Sequence, residues 1–118
     1  MRTNLPPLIA RIVKAMNDHD STAFIACFAN HAMVRDEGHD YVGVAAIKGW
    51  IEEASRKHQF ILDVTSVAER GPNMVVTAQV SGNFDGSPIQ LDHHLTIVDG
   101  RVFLFTALPQ AQKESAKN

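Results

Sequence analysis

The sequence predicts an α+β domain in which N-terminal helices lie on one face of a curved antiparallel sheet. Apolar residues recur at helical spacing up to His58, and after Gln59 the period changes to short runs rich in Val, Ile, Leu, Phe and Thr. The turn signals "GPN", "NFDGSP" and "DG" separate those runs. Helices first and a strand meander afterwards is a pattern of segregated layers, not of alternating parallel units. A chain of 118 residues suits one domain, residues 1–118, whose core needs no disulfide or metal.

Leu5-Pro6-Pro7 opens the first helix, since proline is tolerated in a first turn, and Leu8, Ile9, Ile12, Val13 and Met16 form one apolar stripe up to Asn17. Asp20 is a natural N-cap for a short second helix with Phe24, Cys27 and Phe28 on one face, closed by Asn30-His31. Ala32 to Asp36 reads as a short strand. Gly43 precedes a third helix, with Ile47, Trp50, Ile51 and Ala54 on the dry side and Lys48, Glu52, Glu53 and Arg56 on the wet side. Its basic end, Arg56 to His58, suits the negative pole of the helix dipole. Residues 60–69, 74–81, 89–98 and 101–108 are four consecutive antiparallel strands, and 109–118 form a polar tail.

Thirteen acidic against eleven basic residues, without long like-charge runs, lack the footprint of a nucleic-acid binder. The apolar runs are too short for a membrane span, and "MRTNLPPLIARIV" has no secretory-signal pattern, so a soluble, cytoplasmic protein is expected. The single cysteine, Cys27, excludes an intramolecular disulfide and a multi-cysteine metal site, and among Phe24, Ile25 and Phe28 it reads as a buried structural thiol.

In "SPIQLDHHLTIVDGRVFLFTALP" the residues Ile89, Leu91, His93, Leu95 and Ile97 form one strand face, and His93 interrupts an otherwise apolar row. A two-residue turn at Asp99-Gly100 would pair Ile97 with Val102, Leu95 with Leu104, His93 with Thr106 and Leu91 with Leu108. His94 then points the opposite way, so the dipeptide cannot chelate one metal. The same register puts Phe103 and Phe105 on the outer face, where exposed aromatic surface is expected to meet a second copy of the chain in a homodimer, unless the C-terminal tail covers it.

The succession "NDHDSTAFIACFANHAMVRDEG", "YVGVAAIKGWIEEA", "VSGNFDGSPIQLD" and "TIVDGRV" resembles the nuclear transport factor 2-like superfamily, in particular its SnoaL-like and ketosteroid-isomerase-like branch, over residues 5–108. The resemblance implies a cone-shaped barrel of the cystatin-like kind, a bent sheet wrapped around the first helix with an apolar pocket, commonly in homodimers. Members include isomerases, polyketide cyclases, dehydratases and epoxide hydrolases, and also binding or scaffold domains without chemistry. Against the ketosteroid isomerases, Asp36 of "MVRD" falls on the general-base aspartate, and His93 falls on the protonated aspartic acid of the oxyanion hole. The tyrosine positions of those enzymes hold Ile12, Phe28 and Ile51, so steroid isomerisation itself is not expected.

Asp36 shares strand parity with Ala32 and Val34, and an inward carboxyl in an apolar cavity would be raised toward a useful basic range. The alternative is a solvated cap of the turn at Glu37-Gly38. His93 is either a core histidine satisfied by Thr106 or a backbone carbonyl, or a donor or general acid opposite Asp36. The pocket wall expected from the resemblance is Ile12, Met16, Phe28, Val34, Trp50, Leu95, Leu104 and Thr106. Phe60 and Phe84 are further wall candidates, His39 a rim residue, and His19, His31 and His58 surface groups. Asp36 and His39 could share a metal with a third ligand, but no HExxH-like helical spacing or second histidine on the same face supports one, so no metal is expected, and no cofactor is required. The functional expectation is proton-transfer chemistry of the isomerase, cyclase or dehydratase type on a small apolar carbonyl or hydroxyl compound. The alternative is a non-catalytic ligand-binding or dimerisation domain.

Overall fold

The structure is a computed structural model that describes residues 5–109. The polar tail predicted at 109–118 lies, but for Pro109, outside the described residues. The elements in order are α1 (Pro7–Asn17), α2 (Ser21–Ile25), β1 (Phe28–Asp36), β2 (His39–Val42), α3 (Val44–His58), β3 (Ile61–Arg70), β4 (Asn73–Ser81), β5 (Ile89–Val98) and β6 (Arg101–Pro109). The six strands form one curved, unclosed sheet in the order β2-β1-β6-β5-β4-β3, so β2 and β3 are its edges. Helices and sheet enclose a core in which Ile9, Ile12 and Met16 of α1 and Ile47 and Ile51 of α3 are buried, along the stripes the periodicity predicts.

Local chemistry accounts for the element ends. Proline occupies the first turn of α1, and the Asp20 carboxylate accepts the Ala23 N–H at 3.1 Å to cap α2. α3 ends on Gln59 in the left-handed region at φ 49°, after the basic turn Arg56, Lys57, His58. Asn17 ties α1 to β3, its side chain donating to the Leu62 carbonyl at 3.0 Å and accepting the Leu62 N–H at 2.7 Å. Cys27 is buried, as expected of a structural thiol.

Three features differ from the sequence reading. α2 stops at Ile25, and β1 starts at Phe28 because Phe28 is needed in the sheet, where it pairs with Val102 and packs 4.8 Å from the Phe24 ring. Tertiary packing overrides the helical spacing of Phe24 and Phe28. The sheet is mixed, not antiparallel throughout, since β1 runs parallel to β6, and the four-residue β2 adds an edge strand between the predicted strand at 32–36 and the third helix.

The third difference moves the site. The Asp99-Gly100 turn forms as expected, both residues at positive φ (53° and 76°), with Val98 opposite Arg101 and Ile97 opposite Val102. The register then shifts, so that Thr96 faces Leu104, Leu95 faces Phe105, His94 faces Thr106 and His93 faces Ala107. Phe103 is the extra residue of a β-bulge. Val102 and Phe105 are both buried, and residues three apart share a strand face only across such an irregularity. Phe105 is therefore 1% exposed inside the core, not on the outer face, while Phe103 is 50% exposed.

Candidate active site

Asp36 on β1 and His93 on β5 are both cross-strand partners of Ala107 on the intervening β6. Two strand spacings separate their backbones by about 10 Å, and both side chains line one cavity on the concave face, with only the alanine methyl between them. Asp36 reaches that face by the inward parity of Ala32 and Val34, both fully buried.

The Asp36 carboxylate is half-buried, and its Oδ2 accepts the indole N–H of Trp50 from α3 at 3.1 Å. Burial pushes its pKa above the ordinary carboxylate value, aided by the nearby Glu37 charge, while the Trp50 hydrogen bond and the imidazoles of His39 and His58 pull the other way. The balance is upward, the direction that makes a carboxylate a stronger base. The neighbouring Asp40 is held below its ordinary range by Arg35, whose guanidinium bonds it at 2.8 Å on the exposed side. Within the ionisable cluster 34–41 Asp36 is the half-buried carboxylate of the cavity wall, while Glu37 lines the cavity as an exposed one.

His93 is 4% exposed, with its ring 5.6 Å from Phe105. Its Nδ1 lies 3.1 Å from the carbonyl oxygen of Val76, its partner on β4. A carbonyl can only accept, so Nδ1 carries the hydrogen. Burial lowers the imidazole pKa and keeps the ring neutral, outweighing the Val76 bond and the Asp92 charge. A neutral ring has one N–H, so Nε2 is left with its lone pair. The expected partner Thr106 instead faces His94 on the other side of the sheet.

The cavity has a volume of about 700 Å³. Among the expected residues Asp36, His93, Met16, Trp50, Phe60 and Phe84 line it. Ile12, Phe28, Val34 and Leu95 do not; they are buried in the packed core beside it. Leu104 and Thr106 do not either, because the bulge in β6 turns them away and brings Phe105 and Ala107 into the wall. Sequence reasoning missed those two, and also Tyr41, which lines the cavity with its ring 6.1 Å from Trp50. His58, read as a surface group, lines the cavity with Lys57, its ring 5.7 Å from Phe84 and its Nδ1 3.2 Å from the Asn83 carbonyl. Glu37, Glu53 and Asp85 add acidic groups to the lining. Among the described residues no group of three His, Cys, Asp or Glu side chains is placed to hold a metal ion, and no helix is long and apolar enough to cross a membrane.

Comparison with known proteins agrees with this architecture. The SnoaL-like domain family matches residues 9–105. A Sinorhizobium meliloti protein provisionally named a polyketide cyclase is 33% identical, the similarity covering 88% of this chain and 95% of that one at a TM-score of 0.85. A hypothetical protein with a ketosteroid isomerase-like fold from Catenulispora acidiphila, crystallised with trimethylamine, is 16% identical over 89% of this chain and 86% of its own, with a TM-score of 0.80. An NTF2-like protein from Cytophaga hutchinsonii is 14% identical over 98% of this chain and 99% of its own, with a TM-score of 0.76. No curated protein matches the chain.

Proposed function

The chain belongs to the family of SnoaL-like domains, and from that premise we propose that its cavity takes a small apolar carbonyl or hydroxyl compound and moves a proton on it, with Asp36 as the base. The observation that carries this reading is a half-buried carboxylate with a raised pKa, fixed by the Trp50 N–H in the wall of an apolar cavity. Such a group removes a proton from a carbon beside a carbonyl; the C–H electron pair becomes the new C=C bond, and the carbonyl π pair moves onto the oxygen to give an enolate. The proton held by Asp36 then returns to a different carbon in an isomerisation, or, once the enolate carbon has attacked a second carbonyl in a cyclisation, to the alkoxide oxygen formed there. Neither course needs a cofactor. Tyr41, the sole tyrosine, brings a hydroxyl to the lining that can donate to the enolate oxygen, whereas neutral His93 can accept a hydrogen bond but has no hydrogen on Nε2 to give. The polyketide cyclase name of the Sinorhizobium meliloti protein fits the same substrate chemistry.

The test is deuterium exchange at the methyl group of acetonaphthone in D2O, followed by NMR. Wild type accelerates the exchange, and Asp36→Asn, nearly isosteric but unable to take the proton, loses about a hundred- to ten-thousand-fold. Equal rates in the two proteins would refute the assigned base. Binding of the ketone with no exchange would instead make the domain a non-catalytic ligand binder.

A homodimer through the outer sheet face belongs to the same proposal, with Phe103 and Leu108 as its exposed apolar residues in place of Phe105. Sedimentation of Phe103→Lys as a monomer beside a dimeric wild type supports it, and a wild-type monomer overturns it.

A further inference from the structure

We propose that His93 makes the cavity selective for apolar ring compounds that carry a hydroxyl group, a phenol or an enol, whose O–H donates to Nε2. The inference rests on the ligand-taking cavity proposed above and narrows its substrate class, but it does not depend on the chemistry of Asp36.

The sheet itself fixes the ring. Val76 and His93 sit opposite each other on β4 and β5, and the 3.1 Å contact between the Val76 carbonyl and Nδ1 places the hydrogen of the neutral imidazole toward the strand. The lone pair is then on Nε2, the ring atom farther from the backbone, in a side chain that lines the cavity. Flipping the ring about its Cβ–Cγ bond would set Cδ2–H in place of Nδ1 against the Val76 carbonyl and lose the hydrogen bond, so that bond holds the orientation. A ketone or ether oxygen set against Nε2 meets a second lone pair, whereas a hydroxyl supplies the missing hydrogen.

The surroundings favour the same ligand. Asp36, the other polar group flanking Ala107, is also an acceptor when ionised, so this row of the wall presents two acceptors and no donor. Around it stand the rings of Trp50, Phe60, Phe84 and Phe105, flat apolar surfaces suited to a planar ring system. A hydroxylated ring matches both the aromatic wall and the lone pair that His93 presents to the cavity, while a bare hydrocarbon matches only the wall.

The experiment titrates wild type and His93→Phe with naphthol and with methoxynaphthalene, which lacks the hydrogen, and reads the fluorescence of Trp50, the single tryptophan. Wild type is expected to bind naphthol about tenfold more tightly than the ether, and His93→Phe to lose that preference. Equal affinities in wild type overturn the selectivity and leave the cavity standing. Binding of neither compound overturns the cavity and the selectivity together. A preference that survives in His93→Phe assigns the acceptor elsewhere and overturns the role of His93. Long-range nitrogen–proton NMR of wild type needs no variant: a protonated Nδ1 and bare Nε2 support the proposal, and the opposite tautomer refutes it.

Discussion

Asp36 and His93, 57 positions apart in the chain, flank the same residue, Ala107, on the strand that runs between theirs. A small side chain at that point keeps the two polar groups in view of each other across the cavity wall. Anything bulkier would stand between them. The candidate chemistry therefore depends on a parallel pairing of β1 with β6, an antiparallel pairing of β5 with β6, and a bulge that selects Ala107 over Thr106.

The buried carboxylate has a stability cost with a defined pH dependence. Because the folded pKa of Asp36 lies above its ordinary value, the native state binds more protons than the unfolded chain between the two, and stability falls as pH rises through that window. Asp36→Asn is thus expected to melt at a higher temperature than wild type at neutral pH, and the gain is expected to vanish as pH falls below the ordinary aspartate range. Melting curves of both proteins against pH check this; a variant that is less stable at neutral pH goes against it.

Trp50 positions the base and holds its pKa down, since the indole N–H bonds the ionised form. Trp50→Phe keeps an aromatic ring in the wall and deletes the donor. The Asp36 pKa should rise further, moving the acid limb of any activity profile to higher pH, as read by carboxyl carbon NMR. An unmoved pKa would mean that the 3.1 Å contact is not a working hydrogen bond.

The bulge in β6 gives a sharp contrast between two phenylalanines. Phe105→Ala should cost about 3–5 kcal/mol, the usual loss for a buried ring. Phe103→Ala, half-exposed in the single chain, should stay within about 0.5 kcal/mol when unfolding is followed at a concentration where the protein is monomeric. Urea unfolding distinguishes this from the regular register, in which the two substitutions would have similar small effects.

Gly82 closes the loop after β4 against the end of α3, where an added methyl would lie 2.6 Å from the His58 carbonyl and 3.1 Å from the Phe60 Cα. Both neighbours are backbone and cannot turn aside. Gly82→Ala is expected to cost about 1–3 kcal/mol and to weaken ligand binding by shifting His58 and Phe60, which line the cavity. Parallel measurements of unfolding and naphthol affinity test both effects.

What the sequence made legible was what rests on local periodicity. The parity of Ala32, Val34 and Asp36 made an inward carboxylate the alternative to a solvated turn cap, and the apolar row broken by His93 placed an imidazole among inward residues. Phe105 and Ala107 stayed hidden because "VFLFTA" carries no alternation: nearly every position is apolar, so nothing marks a parity change inside it. Tyr41 lies in a short polar edge strand with no alternation to read. The Trp50 to Asp36 hydrogen bond joins a helix to a strand, and its geometry exists only after both have packed on the core.

The central claim, that Asp36 and His93 face one ligand across Ala107, is tested most directly by titrating wild type with naphthol while following the Asp36 carboxyl carbon and the His93 ring nitrogens by NMR. The expected result is that both sets of signals shift with a single binding midpoint. Movement of one group without the other, or two distinct midpoints, would contradict a shared site.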